Sequence, residues 1–401
     1  MSTTVERKGL TAPREFKIGE VLRLTLFDML VISMAVVLLA SIGLTMLLTT
    51  QGGTGPQIIY FQRDINTNRE NVYIAYANDP DSARRLTDAD SPILEFDVHP
   101  NGQQMVFSMR SRDTGRAELF LMDIRSRNVT PLTSCATQDA DCTAPVFGGD
   151  GDLLAYQRVD FNSALNLGVS PARIWLLDLS TQPPTTYPVI DDSQVLGHSP
   201  VWSADGSRLA FYDNSTGGII VYNFQADEAA GENPIAFIPT ATGLTGSFSP
   251  DGEQLVFPEL VFEEGSPVRA HLQIADLNAD VFRVLSDPGE QVDDQQAVWG
   301  PDGQYIAIGR DFAETNQPGT QIYLYDTENG SIDRLLVDEQ YDHGFMRWSY
   351  DGEWLTMTRF QRFDQFGNYF TEGVLEVWTY NLEERRLYKI AENARMPAWI
   401  P

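Results

Sequence analysis

The fold is decided by the segments SPVWSADGSRLAF, residues 199–211, and GIIVYNF, residues 218–224. In the first, Trp202 stands four residues before Gly206 and Phe211 five residues after it. An Asp-Gly pair supplies the positive φ angles that a tight β-turn needs, and the bulky residues on either side are spaced as core positions of two paired strands. The two segments therefore predict a β-hairpin followed by a third strand.

The same pattern recurs along the chain at a period close to 50 residues. Asn-Gly or Asp-Gly turns separated by 49, 55, 46, 51 and 49 residues stand at Gly102, Gly151, Gly206, Gly252, Gly303 and Gly352. A third apolar strand follows each hairpin, and a weaker fourth strand comes after it. Four short strands in a repeat of this length predict a β-propeller blade.

The two ends of the repeat region complement each other. QIIYF at residues 57–61 matches a second strand without a first, and MPAWIP at residues 396–401 matches a first strand without a second. We therefore expect Phe61 and Trp399 to share one blade that closes the ring. The predicted fold is all-β: a seven-bladed β-propeller of four-stranded blades over residues 57–401, preceded by one transmembrane α-helix.

Three repeats resemble those of the TolB-like propeller family: SPVWSADGSRLAF (199–211), GSFSPDGEQLVF (246–257) and FSMRSRDTGRAELFLMDI (107–124). The resemblance covers residues 57–401 and implies the propeller fold. It does not extend to the small α/β domain that precedes the propeller in TolB.

An apolar stretch near the N-terminus predicts a membrane span. Residues 29–48, MLVISMAVVLLASIGLTMLL, carry no formal charge, and at about 1.5 Å per residue they match a hydrocarbon core of roughly 30 Å. Basic residues precede this stretch, and none follows it before Arg63, so the N-terminus is expected in the cytoplasm. We predict a cytoplasmic tail at 1–27, a transmembrane helix at 28–49, a flexible linker at 50–56, and a propeller on the extracellular or periplasmic side of the cell membrane.

The charge balance and the motifs absent from the sequence exclude several classes of function. The chain has 28 Lys and Arg against 56 Asp and Glu, a net charge of −28, which argues against a nucleic-acid partner because phosphates would be repelled. The sequence contains no nucleophile elbow, zinc-protease motif or phosphate-binding loop, so we predict no catalytic residue and no cofactor. Cys135 and Cys142, which flank six residues outside the predicted span, are expected to form a disulfide.

Acidic residues gather in the connections that lead into the innermost strands. The candidate acidic channel mouth consists of Asp139, Asp141, Asp191, Asp192, Asp293, Asp294 and Asp342. One interpretation is a site for a divalent cation or for a basic segment of a partner. The other is a solvated loop face of an acidic protein. Arginines recur near the ends of second strands at Arg63, Arg158, Arg310 and Arg359, and we expect them to pair with these carboxylates.

The segment TRFQRFDQFGNYF, residues 358–370, has the aromatic and arginine content of an interface hot spot. Its candidate partner-binding residues are Arg359, Phe360, Arg362, Phe363, Phe366, Tyr369 and Phe370. We place them on the face opposite the Asp-Gly turns. The short linker holds the turns toward the membrane, so the opposite face points away from it. The alternative is that these aromatic side chains fold back over their own blade.

The leading functional hypothesis is a single-pass, membrane-anchored extracytoplasmic propeller. It would act as a non-enzymatic binding or scaffold module for an envelope protein, peptide or glycan. One alternative is a carbohydrate-active or metal-assisted enzyme that uses the propeller channel. Another is a sensor subunit of a membrane complex.

Overall fold

A computed structural model describes residues 55–401 except 263–264, 266–267, 280, 288, 290, 313–318, 365 and 372. The predicted transmembrane helix, residues 28–49, lies outside the described residues. Within the described part, no helix is long and apolar enough to cross a membrane.

The described residues form seven four-stranded antiparallel sheets, which confirms the predicted seven blades of four strands each. Blade 1 contains β1 (Gln57–Asp64), β2 (Arg69–Tyr76), β3 (Asp79–Arg85) and, from the end of the chain, β28 (Ala394–Trp399). Blade 2 contains β4 (Ile93–Val98), β5 (Gln104–Arg110), β6 (Ala117–Asp123) and β7 (Val129–Pro131). Blade 3 contains β8 (Ala140–Phe147), β9 (Leu153–Asp160), β10 (Arg173–Asp178) and β11 (Thr185–Pro188).

Blade 4 contains β12 (His198–Trp202), β13 (Arg208–Asp213), β14 (Gly218–Asn223) and β15 (Ile235–Pro239). Blade 5 contains β16 (Ser247–Phe248), β17 (Gln254–Val261), β18 (Arg269–Asp276) and β19 (Val281–Val284). Blade 6 contains β20 (Val292–Trp299), β21 (Tyr305–Phe312), β22 (Gln321–Asp326) and β23 (Ile332–Leu336). Blade 7 contains β24 (Tyr341–Trp348), β25 (Trp354–Gln361), β26 (Leu375–Asn381) and β27 (Arg386–Glu392).

The predicted turns lie between the first and second strands of six blades. All six turn glycines have positive φ angles, between 68° and 81°, a conformation that glycine adopts without a steric penalty. We call the side of the propeller that carries these turns the turn face. The opposite side, which carries the connections between second and third strands and those that lead into each inner strand, is the loop face.

The last strand closes the ring as predicted. β28 pairs with β1 in antiparallel register, with Trp399 opposite Ile58 and Arg395 opposite Phe61. The side chains of Ile58, Phe61 and Trp399 are buried. The C-terminal strand thus covers an edge of β1 that would otherwise be open to solvent.

Tryptophan side chains join neighbouring blades. The indole Nε1–H of Trp202 donates to the Val146 carbonyl at 3.2 Å, and Trp399 donates to the Arg347 carbonyl at 2.9 Å. Trp348 makes the equivalent bond to Val298 at 3.1 Å. In these three blades the indole therefore ties the inner strand to that of the preceding blade. The equivalent Nε1–H of Trp299 has no hydrogen-bond acceptor among the residues that the structure describes.

Candidate functional site

The disulfide between Cys135 and Cys142 is present, as predicted. It ties a short 3-10 turn to the start of β8, and both cysteines are buried. The Glu118 carboxylate accepts the backbone N–H groups of Cys135 and Ala136 at 2.8 and 2.7 Å. This connection of the loop face is therefore held by one covalent bond and one half-buried carboxylate.

Three of the predicted acidic residues bind the backbone of the preceding blade. The carboxylates of Asp141, Asp293 and Asp342 accept the N–H groups of Ala117, Ala270 and Thr320 at 2.8, 2.7 and 2.8 Å, respectively. Each acceptor lies on an inner strand, and each donor lies at the start of a third strand. We call these three carboxylates interblade latches, because each one joins two neighbouring blades by a hydrogen bond. Their sequence positions predicted a channel mouth and did not predict this role.

Two further acidic residues are committed to cations of the protein itself. Asp294 is fully buried and accepts two hydrogen bonds from the Arg310 guanidinium, at 2.9 and 2.8 Å, and one from Ser286 at 2.5 Å. Asp139 binds Arg116 at 2.7 Å. The hydrogen bonds from Arg116 and from Ser163 lower the pKa of Asp139 to about 2.

The predicted acidic channel mouth is therefore not one converging set of carboxylates. Of these seven residues, only Asp191 and Asp192 are exposed and have no ion pair with a residue that the structure describes. Among the described residues, no group of three or more His, Cys, Asp or Glu side chains could hold a metal ion. The geometry gives no support to the divalent-cation interpretation.

The expected pairing of the recurrent arginines with carboxylates of the connections into the inner strands is confirmed for two of the four. Arg310 pairs with Asp294 at 2.8 Å, and Arg359 pairs with Asp338. Arg158 pairs instead with Asp160 at the end of its own strand β9, at 2.8 Å. The side chain of Arg63 has no acceptor among the residues that the structure describes.

Arg359 was predicted to bind a partner, but the structure buries its side chain in blade 7. Only 2% of it is exposed, because its guanidinium lies between the rings of Tyr341 and Trp378, 3.9 and 4.6 Å from their centroids. Together with the Asp338 carboxylate, these rings hold Arg359 inside blade 7. Phe360, at the end of β25, is half-buried in the same blade.

The rest of the aromatic segment forms a small hairpin, described at residues 362–364 and 366–370, that we call the aromatic hairpin. The Phe370 N–H donates to the Arg362 carbonyl at 2.7 Å, and Phe363 and Tyr369 form a bridge opposite each other. The Asp364 carboxylate accepts the N–H groups of Phe366 and Asn368 at 2.8 and 2.9 Å. The hairpin conformation is therefore fixed by its own hydrogen bonds.

The aromatic hairpin divides into a packed base and an exposed tip. The Phe363 and Tyr369 rings meet edge to face, 6.0 Å apart, and Phe363 and Phe370 are half-buried. At the tip, 78% of Phe366 and 64% of Tyr369 are exposed. Of the two alternatives for this segment, folding back applies to the base, whereas the tip presents two aromatic side chains to solvent.

Beside the hairpin, carboxylates from blades 6 and 7 create a negative potential. Asp311 lies opposite Asp293 in the register of β20 and β21. Burial, and next the nearby carboxylates of Asp342 and Asp293, raise the pKa of Asp311, whereas Arg362 acts in the opposite direction. Carboxylates of two blades therefore lie close to one another on this part of the loop face.

Gly319 permits the contact between the hairpin base and blade 6. Its φ angle is 80°, and a Cβ atom there would stand 2.6 Å from Nη1 of Arg362 and 3.0 Å from Oδ1 of Asp342. The guanidinium and the carboxylate therefore lie on either side of a position that has no room for a side chain.

Asp311 and Asp364 were missed as site residues. The spacing of Asp364, Gly367 and Asn368 is typical of a tight turn and could have identified Asp364 as the residue that holds the hairpin together. No local signal marks Asp311, because its neighbours belong to other strands.

No protein-family model and no curated protein matches the sequence. Solved structures share the fold. The β-propeller domain of the Trilobed protease from Pyrococcus furiosus matches with a TM-score of 0.56 and 11% identity, over 84% of this chain and 93% of that chain. An oligogalacturonate lyase in complex with manganese matches with a TM-score of 0.53 and 13% identity, over 85% of this chain and 86% of that chain.

TolB-type propellers are also among the structural neighbours. TolB from Acinetobacter baumannii matches with a TM-score of 0.47 and 17% identity, over 86% of this chain and 67% of that chain. At such identities a likeness establishes the fold and no activity. The class of the molecule follows from the fold: the chain is a seven-bladed β-propeller protein, and its structural neighbours include TolB-type propellers, an oligogalacturonate lyase and the propeller domain of a protease.

Proposed function

We propose that this protein is a non-enzymatic binding module that captures a protein or peptide partner on its loop face, through the tip of the aromatic hairpin. The observation that carries the proposal is the exposure of Phe366 and Tyr369 on a hairpin whose backbone is already fixed. A rigid aromatic anchor loses little conformational entropy when it enters a partner pocket, so such residues dominate binding energies.

The charges around the hairpin support a partner that combines an apolar patch with a basic group. Asp293, Asp311 and Asp342 lie beside the base of the hairpin, and the whole chain carries a net charge of −28. A negative field of this kind attracts a basic partner and accelerates its association.

The proposal includes the anchoring predicted from sequence: a helix at residues 28–49, the N-terminus in the cytoplasm, and the propeller outside the membrane. The disulfide supports an extracytoplasmic location, because such bonds persist in oxidising compartments. The role as a sensor subunit stays an untested prediction. For an enzyme in the channel, the described residues offer no specific observation.

Site-directed photocrosslinking tests the proposal. A photoreactive phenylalanine analogue is placed at position 366 of the full-length protein in its native membrane, and a matched control carries it at Tyr187, an exposed aromatic residue on the outer strand β11. We expect a discrete adduct from position 366 and none from position 187.

A second variant separates binding from folding. Replacement of Phe366 and Tyr369 by Ser should abolish the adduct formed by an analogue at Asn368, while the melting temperature changes by no more than about 2 °C, because both side chains are exposed. Adducts of equal yield from positions 366 and 187, or an adduct that survives the double replacement, would exclude the hairpin as the binding site.

A further inference from the structure

A pocket of 260 Å³ between blades 1 and 2 has an unusual charge for this protein. It opens on the loop face, and three arginines line it, Arg63, Arg69 and Arg112, together with the acids Glu70 and Asp90. Three positive and two negative groups give the lining a formal charge of +1, whereas the whole chain carries −28. The pocket is therefore locally positive, although the charge of the whole protein repels anions.

The two acids of the pocket are already compensated. Asp90 binds Arg69 at 2.5 Å. Glu70 accepts two hydrogen bonds from the Arg395 guanidinium on β28, at 2.9 and 2.7 Å. Neither acid is therefore available to neutralise Arg63 or Arg112.

Arg63 and Arg112 are the uncompensated groups. Within the part of the chain that the structure describes, neither guanidinium has a carboxylate or carbonyl acceptor. Arg63 stands on a rigid element, because its backbone N–H donates to the Asn393 carbonyl at 2.8 Å where β28 closes the ring. Arg112 approaches the same pocket from the connection between β5 and β6.

We propose that this pocket binds an anionic group whose oxygens pair with the guanidinium groups of Arg63 and Arg112. Each guanidinium offers a planar fork of N–H donors that matches the oxygens of a phosphate or a carboxylate. The volume suits a compact group such as a phosphate or a small dicarboxylate rather than a drug-sized molecule. A second pocket of 250 Å³ shares Arg63 and Glu70 and extends to Leu375 of blade 7, so the anionic group can belong to a larger ligand.

Isothermal titration calorimetry of the full-length protein tests this site. Sodium phosphate and sodium succinate are titrated separately at low ionic strength, since salt screens exposed charges. We expect saturable binding of at least one anion at low-millimolar concentration. Binding of phosphate alone assigns a phosphate-type ligand, and binding of succinate alone assigns a dicarboxylate.

Arginine variants locate the binding. R63Q and R112Q should each weaken it by about tenfold or more, and R63K by less than R63Q, because lysine keeps the charge and loses the fork. R125Q is the matched control, as Arg125 is an exposed arginine on the turn between β6 and β7, outside the pocket. Equal weakening by R125Q, or no binding of either anion, overturns the proposal.

The anion site does not depend on the proposed function. Replacement of Phe366 and Tyr369 by Ser should leave anion binding unchanged, because neither residue lines the pocket. Failure of the partner-capture experiment and failure of the titration are therefore separate results.

Discussion

The Asp342 carboxylate, on the inner strand of blade 7, accepts a hydrogen bond of 2.8 Å from the Thr320 backbone N–H of blade 6. Asp141 of blade 3 and Asp293 of blade 6 accept the equivalent hydrogen bond from a backbone N–H group of the preceding blade. A carboxylate that accepts a backbone N–H removes an unsatisfied donor at the start of a third strand. Acidic residues at this point of the repeat therefore stabilise the ring by joining neighbouring blades.

Removal of one latch should lower stability. Asp141 is 8% exposed, and Asp141→Ala would leave the Ala117 N–H and the Arg110 guanidinium without this acceptor. We expect the free energy of unfolding to fall by about 1–3 kcal/mol in urea denaturation. The exposed Asp191→Ala is the control and should change it by no more than about 0.5 kcal/mol. Equal effects of the two replacements would show that the latch contributes nothing.

The architecture was predictable because its signals are local and repeated. The turn glycines, the bulky residues at fixed offsets and the unmatched strands at each end specify seven blades and the pairing of Trp399 with Ile58. Each signal lies within a few residues of sequence, and six copies of the turn reinforce one another.

The candidate site was predictable only in part, because its contacts join residues far apart in sequence. The aromatic hairpin was found from composition, but the burial of Arg359 depends on the rings of Tyr341 and Trp378 on two other strands. The backbone N–H groups that Asp141, Asp293 and Asp342 accept likewise belong to the preceding blade. Composition identifies a charged or aromatic segment, and only the packing decides which of its side chains face solvent.

Ring closure should depend on the last strand. Deletion of residues 394–401 removes the pairing of β28 with β1 and uncovers Ile58 and Phe61, which are fully buried. We expect a large loss of stability, of several kcal/mol, measured as a lower melting temperature of the propeller. Deletion of the exposed Pro401 alone is the control. A melting temperature unchanged by the longer deletion would contradict the closure of blade 1 by β28.

The disulfide should stabilise the loop that it ties. The ring that Cys135 and Cys142 close is short, so the chain-entropy estimate of its contribution is about 2–3 kcal/mol. Replacement of both cysteines by Ser should lower the free energy of unfolding by about this amount or less. Thiol labelling of the denatured protein should detect no free thiol before reduction and two after it. Two reactive thiols before reduction would mean that the bond does not form in the native compartment.

Protonation of His343 should destabilise the fold in mild acid. His343, on β24, is 4% exposed, and Nδ1 lies 2.9 Å from the Thr320 carbonyl. Burial, and next the Arg359 guanidinium, lower the pKa of His343 from 6.5 to about 4, whereas Thr320 and Asp338 act in the opposite direction. The folded protein thus holds this imidazole neutral at a pH where the unfolded chain protonates it.

The sign of the linkage follows from that difference in proton binding. Above pH 6.5 His343 is neutral in both the folded and the unfolded state, and its contribution to the free energy of unfolding is fully present. Below pH 6.5 the unfolded state gains a proton first. The free energy of unfolding therefore falls between pH 6.5 and about 4. The full effect is about 3 kcal/mol. Asp97 and Asp311, whose pKa values are raised by burial, act with the opposite sign, so the wild-type profile alone cannot isolate the histidine. His343→Asn keeps a donor for the Thr320 carbonyl and does not titrate. The free energies of unfolding of the two proteins should therefore converge as the pH falls from 7 to 4, and a difference that stays constant would show that His343 is not the titrating group.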